Sequence, residues 1–98
     1  MQKQANDDVD VLLGATLEPV KNNDQERLGL SFGMQVTKLQ KGKLSDAGVR
    51  EGFIILRIDK LPIKTATDVK NALNDASGGI LIEGVYPNGL RAYYGVGW

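Results

Sequence analysis

The chain has 98 residues, balances 12 Lys and Arg against 12 Asp and Glu, and contains neither Cys nor His. A chain of that length buries one core without room for a deep internal active site, and its neutral charge gives no reason to expect nucleic acid or an anionic membrane as partner. The missing Cys and His exclude a thiol nucleophile, a disulfide, a Cys/His zinc site and a Ser-His-Asp triad, so a binding module without cofactor or metal is expected rather than an enzyme.

Residues 1–10 are polar and acidic with no periodicity and read as a tail or linker, which puts the domain at residues 11–98. They carry no apolar targeting segment, and no run approaches the ~20 apolar residues of a membrane span. Residues 11–20, VLLGATLEPV, begin apolar, break at Gly14 and resume before Pro19, which suits a loop followed by a short strand. Residues 21–27, KNNDQER, read as a solvated hydrophilic excursion, and residues 28–33 as a glycine-rich connection packed over the core. Residues 34–39 alternate at period two, with Met34, Val36 and Lys38 on one face and Gln35, Thr37 and Leu39 on the other.

A turn at residues 40–42 leads into a short helix over residues 43–47, stopped at Gly48. After Gly52 comes the most apolar run of the chain, FIILRI at residues 53–58. Its β-branched content and its boundaries predict a strand covered on both faces. Asp59-Lys60 is a turn before a brief strand at residues 61–63, where Pro62 implies an edge. Residues 65–75 are the clearest helix: Thr65 is the N-cap, Asp68 completes a capping box, and Val69, Ala72, Leu73 and Ala76 form an inward stripe. Residues 80–86 and 90–96 form a hairpin around Pro87-Asn88-Gly89. The expected fold class is mainly β with two helices (α+β). It consists of five to six antiparallel strands, as a partly open barrel or sandwich, capped by one short and one long helix.

The succession from Gly42 to Ile63, with its short helix closed by Ala47-Gly48, its glycine at Gly52 and its apolar strand, resembles the signature of PDZ domains. Phe53 stands where that signature has Asp, and Asp59-Lys60 where it has Asn-Gly. The segment Leu12-Leu13-Gly14-Ala15-Thr16-Leu17, together with the hairpin at the very end, looks more narrowly like the second, C-terminal PDZ domain of the periplasmic HtrA (Deg) family of serine proteases. That resemblance implies an accessory domain of a protease located in the periplasm or cell envelope. It also implies a peptide bound as an added strand between the first strand and the long helix.

In such a site a loop of backbone N–H groups captures a carboxylate, and a glycine lets the backbone approach. The resemblance assigns the loop to Leu12, Leu13, Gly14 and Ala15, the added-strand edge to Ala15, Thr16 and Leu17, and the helical wall to Ala66, Thr67 and Lys70. Small side chains on that wall and the absence of His suit peptides or misfolded segments with apolar C-termini. A bulky substitution at Gly14 is then expected to weaken binding while the fold survives. Two alternatives stay open: that Gly14 is an ordinary turn with its leucines in the core, and that residues 28–32, LGLSF, are the carboxylate loop instead. Ser45 with Lys43, and Ser77, read as cap and turn residues rather than nucleophiles. Tyr86, Tyr93, Tyr94 and Trp98 read as packing of the last hairpin or as a docking surface for the protease domain or a neighbouring PDZ domain. The competing function is a structural assembly module whose groove is vestigial or self-occupied.

Overall fold

A computed structural model describes residues 13–98. The tail expected over residues 1–10 and the loop residue Leu12 lie outside the described residues. Among the described residues six strands and three helices follow in the order β1 (Ala15–Pro19), α1 (Asn22–Leu28), β2 (Met34–Leu39), α2 (Lys43–Asp46), β3 (Ile54–Ile58), β4 (Leu61–Pro62), α3 (Ala66–Asp75), β5 (Ile80–Val85) and β6 (Arg91–Val96). The strands form one open antiparallel sheet in the order β1-β2-β3-β5-β6, with β4 paired to β3. This is the α+β class expected.

The apolar run behaves as its composition requires. Phe53, Ile55 and Ile58 enter the main core with Leu13, Ala15, Leu17, Met34, Val36, Leu44, Val69, Leu73 and Ile82. Ile54 and Leu56 turn to the opposite face, where Val20 and Val85 meet them and Leu28 and Leu30 close over the top. Both faces of β3 are therefore covered, which is why this strand shows no polar alternation.

Two bulges alter the facing of side chains. Across β1 and β2 the partners run Thr16 with Lys38 and then Leu17 with Val36, so Thr37 is an extra residue. Leu39 consequently packs on the main core while Lys38 is exposed, a correction to the strict alternation expected for β2. On β3 the partners step from Ile55–Gly84 to Arg57–Glu83, leaving Leu56 as the extra residue. Leu56 and Arg57 then share a face, and Ile58 returns to the main core.

Residues 21–27 are not a loop-like excursion; Asn22–Leu28 is a helix with no buried residue. It lacks an apolar stripe, so hydrophobic periodicity does not reveal it. Local bonds hold it instead. Arg27 pairs with Asp24 at 2.7 Å, Gly29 closes the C-terminus in the left-handed region at φ 70°, and the Leu30 N–H donates to the Gln25 carbonyl at 2.7 Å. An Arg27 N–H also donates to the Pro87 carbonyl, tying α1 to the final hairpin turn.

The capping box of α3 is formed: Thr65 Oγ1 accepts from the Asp68 N–H at 3.2 Å and Asp68 Oδ2 accepts from the Thr65 N–H at 3.2 Å. Ser45 has the cap duty expected of it, its Oγ accepting from the Gly42 N–H at 3.0 Å. Lys43 turns elsewhere, donating to the Gly97 carbonyl at 3.0 Å and lying 5.3 Å from the Trp98 ring centre. Phe53 is fully buried between two aromatics, 4.8 Å from the Tyr86 ring and edge-on to Tyr94 at 5.2 Å. Its tip lies over Gly84, where a methyl group would stand 2.5 Å from Phe53 Cζ and 2.1 Å from the Ile54 carbonyl oxygen.

Candidate functional site

The residues expected around the first strand gather at one end of the sheet. Leu13, Ala15 and Leu17 are buried, so their side chains belong to the core and this segment presents backbone to its surroundings. Gly14 holds φ 73°. Its carbonyl accepts from the Gln40 N–H at 2.8 Å and so points towards β2. In a trans peptide the carbonyl and the following N–H point in opposite directions, so the Ala15 N–H faces away from β2, out from the strand that ends the sheet. Thr16 is half-buried, and its carbonyl accepts from Thr37 Oγ1 at 3.3 Å.

On the helix, Ala66 packs against the same core as Leu13, Ala15 and Leu17. Lys70, one turn further on, shares the face of Ala66 and is half-buried, whereas Thr67 is exposed. The main core thus joins the strand residues to Ala66. Thr67 and Lys70 line the first turns of α3 without entering that core.

The competing loop lies on the other side of the sheet. Leu28 and Leu30 belong to the smaller cluster around Ile54 and Val85, whereas Leu13 and Ala15 belong to the main core, so the two glycine loops are separated by the sheet itself. Between LGLSF and the sheet is a cleft of about 170 Å³ bordered by Ser31, Phe32, Leu56, Arg57 and Arg91. Arg57 is shared with Glu83, 3.8 Å away, and Lys64 Nζ lies 5.7 Å from the Phe32 ring centre.

A larger cleft, of about 620 Å³, went unread in the sequence. Gly48, Arg50, Tyr86, Pro87, Leu90 and Tyr94 line it. The two tyrosine hydroxyls are 2.6 Å apart, and the Arg50 N–H donates to Tyr86 Oη at 3.1 Å. Burial first, then the hydrogen bond to Tyr86 and that group's charge, push Tyr94 up to about 12, with Arg50 acting in the opposite direction. The Tyr pair at 93 and 94 was visible as an aromatic cluster, but strand alternation splits it: Tyr94 turns in and Tyr93 is 64% exposed.

Among the described residues no group of three or more Asp, Glu, His or Cys side chains could hold a metal ion. Among the same residues no helix is long and apolar enough to cross a membrane. No family model matches the chain, and no curated protein matches it.

Proposed function

We propose that the domain is a non-catalytic, PDZ-like peptide-binding module that receives an extended apolar-ended segment as an added strand beside β1. The observation that carries this reading is the outward N–H of Ala15, on the strand that ends the sheet and directly after the left-handed turn at Gly14. An edge strand offers main-chain groups for pairing, and buried leucines beneath it keep that edge rigid. Ala66 and Lys70 supply the adjoining wall, with a small residue for contact and a cation for the ligand's terminal carboxylate. In this reading the module belongs to a serine protease of the periplasm or cell envelope, presenting misfolded segments to it or restraining it.

The test is a titration with peptides ending in Val, Leu or Phe, followed by backbone amide NMR. The amides of Leu13, Gly14, Ala15 and Thr16 and those at the start of α3 are expected to shift, and amidating the peptide C-terminus is expected to abolish the response. A panel of apolar-ended peptides that moves none of these amides would remove the reading.

A second reading, an assembly module, is favoured by a different observation. Tyr93 and Leu81 are exposed large side chains on neighbouring strands of the final hairpin. Sedimentation of the isolated chain across concentration distinguishes it, since self-association lost in Tyr93→Ser would support assembly through that surface.

A further inference from the structure

The cleft beside the last hairpin has a donor surplus that its own residues do not balance. Two phenol hydroxyls carry two protons, and only one can lie in the 2.6 Å bond between Tyr86 and Tyr94. Tyr86 Oη already accepts from the Arg50 N–H. Whichever tyrosine donates to the other, one O–H proton is left with no acceptor among the described residues. The Arg50 side chain borders the same space, has no carboxylate partner among the described residues, and no acidic residue lines the cleft. The remaining walls are Gly48, Asn88, whose Oδ1 is taken by the Leu90 N–H at 2.9 Å, and the apolar surfaces of the Tyr rings, Pro87 and Leu90, the last 62% exposed.

From this arrangement we infer that the cleft is a binding site for a carboxylate carried on an apolar body, with Arg50 and the spare tyrosine O–H taking the charge and Pro87 and Leu90 taking the body. A guanidinium and a hydroxyl together satisfy both oxygens of a carboxylate, and bonds to a charged group are about twice as strong as neutral ones. The volume of about 620 Å³ lies within the roughly 300–1,000 Å³ of small-ligand sites. Tyr94, pushed up to about 12, keeps its hydroxyl proton throughout the physiological range. The site is separate from β1 and does not rest on the peptide-binding reading. Two sources share its chemistry, a free aromatic or aliphatic acid and the terminal residue of a polypeptide.

The test uses 3-phenylpropionate as the free acid, 3-phenylpropanamide as its neutral counterpart, and a pentapeptide ending in Phe with a free or amidated C-terminus. The acid is expected to shift the amides of Gly48, Arg50, Asn88 and Leu90 while leaving Ala15 and Thr16 in place. The neutral amide, and Arg50→Gln titrated with the acid, are each expected to bind about tenfold more weakly. Arg50 is exposed, so an otherwise unchanged spectrum of that variant shows its fold intact. Shifts at the cleft from the free-ended peptide as well extend the ligand to chain termini; shifts from the acid alone assign it to free acids. Equal binding of acid and amide, unaltered binding by Arg50→Gln, or no shift at the cleft with any probe overturns the inference. A peptide that moves only the β1 amides counts for the peptide-binding reading and against chain termini here.

Discussion

Gly14 and Gly42 lie back to back: a methyl group on either would stand 3.0 Å from the Cα of the other. Gly14 also requires φ 73°, so the loop before β1 is fastened to the loop before α2 by backbone contact as well as by its own conformation.

This juxtaposition corrects the expectation that a bulky residue at Gly14 would spare the fold. Gly14→Ala adds both left-handed strain and overlap with Gly42 and the Lys41 carbonyl, and is expected to destabilise by about 2–4 kcal/mol. Gly29→Ala is the control, since Gly29 has φ 70° with open space around it, and is expected to cost only about 1 kcal/mol. Urea unfolding of both variants checks the difference; equal losses would show that the contact with Gly42 carries no energy. Ligand binding is therefore better probed through peptide chemistry than through Gly14 itself.

Asp59 and Lys60, in place of Asn-Gly, both adopt positive φ, 50° and 72°, which is the two-residue type I′ turn between β3 and β4. Asp59 is suited to it, and its Oδ1 also accepts from the Leu81 N–H at 2.8 Å. Lys60 has no such side-chain bond among the described residues. Lys60→Gly is expected to stabilise by about 0.5–1 kcal/mol, the relief of strain outweighing the added freedom of the unfolded chain. A melting temperature raised by a few degrees would bear this out, and a lowered one would show that Lys60 makes a favourable contact after all.

Tyr94 gives the domain an alkaline limit. Its folded-state value of about 12 exceeds the ordinary 10.0, so the folded state binds this proton more tightly than the unfolded chain does. The resulting stability is complete below pH 10 and is lost as pH rises from 10 through 12. Stability measured by urea unfolding is expected to decline over that window in the wild type and to decline less in Tyr94→Phe. A phenolate absorbance titration should likewise find one tyrosine ionising late, and that late step should vanish in the variant.

Much of the fold was legible because local chemistry and tertiary demand agree. The capping residues Thr65 and Asp68, the stripe Val69-Ala72-Leu73, the hairpin turn at Pro87-Asn88-Gly89 and the doubly covered run at β3 each satisfy a short-range rule and a packing need together. Helix α1 escaped notice because a helix with no buried side chain leaves no period to read. The facing of Leu39 was misread because the extra residue Thr37 is defined only by the partner strand. Within the candidate site, the turn at Gly14 was readable from one glycine, yet its second reason, Gly42, is a contact 28 positions away. The tyrosine cleft was less readable still, since Arg50 and Tyr86 meet only once β5 and β6 have folded back beside the end of α2.

The bulges at Thr37 and Leu56 give β2 and β3 two reading frames each. Before the extra residue, one parity of position faces the main core; after it, the other does. Deleting either bulge residue would restore plain alternation and leave Leu39 or Ile58 facing the core, with Leu56 giving up its own contacts on the opposite face. An apolar residue at the unexpected parity, as Leu39 and Ile58 are, thus marks an inserted residue upstream, and a homologous domain shortened by one at either bulge would keep the same core with a strict two-residue period.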